Sequence, residues 1–128
     1  MAHLYNGEEM AKIARDAAEL IETKGLARGL MRDSGGCMCL QGAVLCSAGV
    51  GYLEDYYSYL RKNPNSQATY VLEQVALRAG LEFDTLDDEK VTSLGWQVQM
   101  FSDQCVDANE IIDTLRQAAD AFDSNAFV

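Results

Sequence analysis

Cys37-Met38-Cys39-Leu40-Gln41-Gly42-Ala43-Val44-Leu45-Cys46-Ser47-Ala48 is the stretch on which the fold turns. Only Gln41 and Ser47 interrupt its apolar character, so a helix over about 37–48 is greasy on every side. A helix of that kind belongs in the middle of a domain, with other helices wrapped round it. Gly42 lets a neighbour approach closely, and Gly49 and Gly51 break the run. Ser34-Gly35-Gly36 just before it reads as a turn.

Working outward, amphipathic helices stand on both sides. Asn6 and Glu9 make a capping-box pattern, with Tyr5 and Met10 placed to staple it. Met10, Ile13, Ala14, Ala17, Leu20 and Ile21 then recur at helical spacing up to Lys24-Gly25. A short helix fits the less regular stretch from Gly25. A helix over about 52–62 is stopped by Asn63-Pro64. Asn65 or Ser66 caps the next, which turns Val71, Leu72, Val75, Ala76 and Ala79 inward and ends at Gly80. An acidic connector follows, and Thr85 caps a helix carrying Val91, Leu94, Val98 and Phe101. Within it, Trp96, Val98 and Met100 alternate with Gln97 and Gln99, which is strand spacing; with no second strand to pair, helix is the preferred reading. Asp107 and Glu110 repeat the capping-box pattern before Ile111, Ile112, Leu115, Ala118, Ala119 and Phe122. The expectation is an all-α bundle of five to seven helices around the central apolar helix. It forms one domain over residues 1–128, with a tail that frays after 123.

The charge is strongly negative, −10 at pH 7, and uneven. Residues 1–64 hold eight acidic and seven basic side chains, residues 65–128 twelve and three. Such a surface repels nucleic acid and anionic membrane, so direct binding to either is not expected. It suits a protein partner with a basic surface. No apolar run reaches the roughly 20 residues of a membrane helix. Met1 to Glu9 has neither the basic nor the apolar region of a secretion signal. Three of the four cysteines fall within ten residues rather than being spread as a disulfide framework, so reduced thiols and a cytoplasmic location are expected.

Enzymatic chemistry finds little support. Cys37 and Cys39 lie at a helix start after two glycines, where amides favour a thiolate and an anion. A nucleophilic cysteine wants a base, and the single histidine is His3. Cys37-x-Cys39 has the wrong spacing for a zinc knuckle, so no metal and no cofactor are expected. Asp84, Asp87, Asp88 and Glu89 read as a solvated helix start rather than a catalytic pair. Asp103, in Phe101-Ser102-Asp103, reads as a turn or capping residue or as a ligand-coordinating one. There is no P-loop and no GxGxxG; Gly35-Gly36 before a helix is a weak anion nest. Tyr52, Tyr56, Tyr57 and Tyr59 crowd one short helix. Tyr52, Tyr56 and Tyr59 share a face that serves either as core or as a patch for a partner or for self-association.

With these residues in hand, the chain resembles an uncharacterised family of small proteins from actinobacteria and their phages. The family pattern is Gly-Trp-x-x-Gly after a first amphipathic helix, then Cys-Cys-Leu-x-Gly-Ala, then Trp-Asn-Asp before a capped last helix. Here these read Gly25-Leu26-Ala27-Arg28-Gly29, Met38-Cys39-Leu40-Gln41-Gly42-Ala43 and Phe101-Ser102-Asp103. Asp107 and Glu110 match the family's Thr-x-x-Glu cap. The resemblance implies no known activity, and it suggests a phage or mobile-element accessory gene acting in the host cytoplasm.

The expected function is therefore that of a non-enzymatic acidic accessory protein that binds, and inhibits, a host protein. The tyrosine face and Asp84, Asp87, Asp88 and Glu89 are its contact residues. One alternative is a DNA mimic whose acids at 82–89, with Asp103, Asp107, Asp113, Asp120 and Asp123, imitate phosphates. Another is a small-ligand or nucleotide sponge with its site at Gly35, Gly36, Cys39 and Asp103.

Overall fold

The computed structural model describes residues 7–26, 39–50, 56–63, 66–82, 87–105 and 107–124, with the backbone alone for 56–58 and 87–92. Six helices run through them: α1 (Gly7–Lys24), α2 (Leu40–Ser47), α3 (Tyr56–Lys62), α4 (Gln67–Arg78), α5 (Asp87–Gln104) and α6 (Ala108–Asp123). No strand occurs among the described residues. The all-α expectation holds, and residues 96–100 are helical. Leu94, Val98 and Ser102, each four apart on α5, are fully buried. Trp96 and Met100 form a second column on the same helix. The alternation that resembled a strand comes from reading one inward column and one outward column together.

The first and last helices are the most extensively packed pair, and α1 also lies against α2 and α4. Alanines set this up. Ala11, Ala14, Ala17 and Ala18 of α1, and Ala118, Ala119 and Ala121 of α6, are buried. Small side chains let the two axes approach, while Met10, Ile21, Ile111, Leu115 and Phe122 fill the space between layers. Along the rim Arg15 reaches across to Asp120 and Asp123, and Arg116 reaches to Glu22. The side chains in these pairs are about half or more in solvent, Asp120 at 79%, so each pair contributes at most about 1 kcal/mol.

The apolar segment behaves as its composition demands. Every residue from Leu40 to Leu45 is buried, and α2 touches α1, α4 and α5. Its N-cap is Cys39, whose Sγ accepts a hydrogen bond from the Gly42 amide at 3.3 Å. Residues 37 and 38, where the sequence places the helix start, lie outside the described residues. At the other end Gly49 adopts φ +84°, and the Val50 amide donates to Leu45 O at 3.0 Å. Gly80 ends α4 in the same way, at φ +73°, with the Leu81 amide donating to Ala76 O at 2.9 Å. Both are left-handed glycine caps that satisfy the last carbonyls of their helices.

Ser66 caps α4 as expected, accepting from the Thr69 amide at 3.2 Å. At α6 the expected capping box is only half made. Asp107 Oδ1 accepts from the Asn109 amide at 2.9 Å. The Glu110 carboxylate instead accepts from the Cys105 thiol at 3.4 Å. The expected cap residues Asn6 and Thr85, the short helix after Leu26 and the tail beyond Ser124 lie outside the described residues.

Candidate functional site

Two places bring chemistry-bearing side chains together. The first is the start of α2. The Leu40 amide donates to Ser102 Oγ at 3.0 Å, so Phe101-Ser102-Asp103 on α5 sits directly against the Cys39-Leu40 cap. The Cys39 side chain is buried. Its thiol is pushed up to about 12, chiefly by burial with help from the Asp103 carboxylate and against the lowering effect of the Gly42 amide. A thiol in that condition stays protonated at neutral pH and is a poor nucleophile. The amides that make a helix start attractive to anions are already taken, Leu40's by Ser102 and Gly42's by Cys39. Cys39 and Asp103 are thus neighbours, as a shared site requires, but the cap they surround is closed on itself. Gly35 and Gly36 lie outside the described residues.

The second place is a groove of about 300 Å³ where α4, α5 and α6 meet. Local structure explains each wall. The left-handed turn at Gly80 carries Leu81 back over the end of α4. Met100 and Phe101 come from the last turns of α5, with Gln97 and Gln104 on the same side. Cys105 follows α5 directly, and its single thiol proton is shared between Asp107 O at 3.2 Å and the Glu110 carboxylate at 3.4 Å. That double contact pins the corner between α5 and α6 and sets Glu110 in the wall. Of the seven described lining residues four are apolar or thiol-bearing, and none of the seven is basic.

Trp96 stands one turn before Met100 on α5. It is 53% exposed, the most exposed large apolar side chain among the described residues, with Leu77 next at 43%. A lone exposed leucine needs no explanation, whereas an exposed tryptophan one helical turn from a groove residue does. Sequence reading passed over Trp96 because it treated residues 96–100 as a question of secondary structure. The signal was present: with Leu94 and Val98 inward, a helix necessarily turns Trp96 outward.

The other expected contact residues are placed less tellingly. Tyr59 is partly buried and packs on the core. Tyr56 lies in α3, and Asp87, Asp88 and Glu89 open α5; only the backbone is described at these positions. Tyr52 and Asp84 fall outside the described residues. A further surface groove, about 540 Å³, runs between α1 and α6 past Arg15, Glu22 and Arg116, whose charges are already paired across the helices.

Among the described residues no three His, Cys, Asp or Glu side chains are grouped so as to hold a metal ion. Cys39, Cys46 and Cys105 are free thiols, and no described helix is long and apolar enough to cross a membrane. Comparison with curated proteins and with solved structures found no match. The family comparison did, across nearly all of the helical core. The chain belongs to the family of unknown function DUF6197, whose profile covers residues 6–121.

Proposed function

We propose that this chain is a non-enzymatic binding protein that docks on a partner protein with a basic surface. The observation that carries the reading is Trp96, half in solvent one turn before Met100 on α5, on a molecule of net charge −10. Tryptophan is prominent among the residues that dominate binding energy, and its exposed ring in the free chain is apolar area that a partner can bury. The negative field then selects the partner, steering basic surfaces in and holding acidic ones off. The resemblance to small phage-borne proteins makes the reading more specific: an accessory factor acting in a host cytoplasm, which inhibits by occupying a basic surface the host protein needs.

The enzyme reading has weaker support, since the best-placed thiol is buried and protonated. A DNA mimic needs a row of free acids, and Asp120 and Asp123 are engaged by Arg15.

Immobilised chain exposed to host lysate tests the proposal. A stoichiometric partner should be retained at low salt, released by salt, and absent from a Trp96→Ala column. Equal retention on both columns, or no partner at either salt, speaks against it.

A further inference from the structure

Resting on that reading, we infer that the groove between α4, α5 and α6 receives a basic segment of the partner, with one large apolar side chain of that segment seated in it. Three observations converge. The groove holds about 300 Å³, the lower end of the range for small-molecule pockets and suited to one bulky side chain with its backbone passing outside. Its walls combine Leu81, Met100, Phe101 and the Cys105 thiol with Gln97 and Gln104, and exposed Trp96 lies one turn before Met100 on α5. Methionine and aromatic side chains are the types that adapt to and anchor an incoming apolar group.

The charge names the occupant. Glu110 stands in the wall, and exposed Asp107 starts the helix beside it. A second copy of the chain would set −10 against −10, which opposes self-docking at low salt. An acidic segment meets the same repulsion. A lysine- or arginine-rich segment gains attraction at the rim while its apolar side chain gains burial, and both gains come from a single pose.

The test uses the whole chain and short fluorescein-labelled peptides read by anisotropy. One peptide is lysine-rich with a central phenylalanine; a second replaces that phenylalanine with alanine; a third keeps it and replaces the lysines with glutamates. The first should saturate. Loss of its phenylalanine, or Trp96→Ala in the protein, should weaken binding on the order of tenfold. Glu110→Gln should weaken it less and flatten its salt dependence. Trp96 and Glu110 are both exposed, so these variants keep the fold, which circular dichroism verifies. The inference is overturned by equal binding of the glutamate peptide, by indifference to Trp96→Ala, or by a concentration-dependent dimer abolished by Trp96→Ala, which assigns the groove to a second copy. Its failure is separable from that of the broader reading. A lysate partner retained without regard to the groove variants leaves docking intact and removes only this site. Peptide binding with no lysate partner does the reverse.

Discussion

Ser102 Oγ, near the end of α5, accepts a hydrogen bond at 3.0 Å from the amide of Leu40, the first residue of α2. Both residues are fully buried, and 62 positions separate them. Ser102→Ala leaves that amide without a partner in a place water does not reach. The expected loss is about 1–3 kcal/mol. Urea denaturation should show a lower midpoint with an unchanged slope, because the surface exposed on unfolding is the same.

Cys39 gives the chain a pH dependence. Its thiol is raised from 9.0 to about 12, first by burial and then by Asp103. Below about pH 9 the group is protonated folded or unfolded, and its full contribution to stability is present. Above that the unfolded chain releases the proton and the folded one keeps it, so stability falls as pH climbs from 9 toward 12. Cys39→Ser should flatten the alkaline limb of a melting-temperature profile. Iodoacetamide at neutral pH should leave Cys39 unmodified in the folded protein and label it in urea, as peptide mass mapping would show.

Gly49 and Gly80 isolate the backbone cost of ending a helix. Both have positive φ, and a Cβ added to either meets nothing within 4 Å. Alanine at either position is therefore opposed by backbone strain alone, about 1–2 kcal/mol. Asparagine, which tolerates the left-handed region better, should recover part of the loss. For Gly80 a second effect follows, since its turn places Leu81 in the groove wall. Gly80→Ala should weaken peptide binding beyond what its melting temperature explains.

Trp96→Ala should separate binding from folding. The side chain is half in solvent, so its removal should change stability by no more than about 0.5 kcal/mol while partner retention is lost. As the single tryptophan of the chain, it also reports on the groove directly. Acrylamide should quench its emission readily in the free protein and less so once a partner covers it.

Most of the helical architecture was legible in the sequence, because it is written in local periodicity. Met10 through Ile21 and Ile111 through Phe122 show a helical repeat that leaves few alternatives. Asp107 declares a cap within its own turn, and Gly80 declares a stop. The groove was not legible, and the reason is physical. Leu81, Phe101 and Glu110 come from three elements, and no local pattern says that they meet. The Cys105 thiol contact with Glu110 spans only five residues, but it depends on the turn between α5 and α6 that no helical periodicity encodes. The burial of Cys39 was readable from its apolar segment, but its neighbours were not, because Ser102 and Asp103 arrive from α5.

The pairing of α1 with α6 also constrains how the protein is made. A chain emerging from the ribosome presents its first helix long before the last has been synthesised. Until then the alanine-lined face of α1 has no cover, and this helix must wait as an exposed amphipathic rod or borrow a temporary neighbour. Burial of that face therefore waits on α6, and a chain cut before Ala108 would leave it in water.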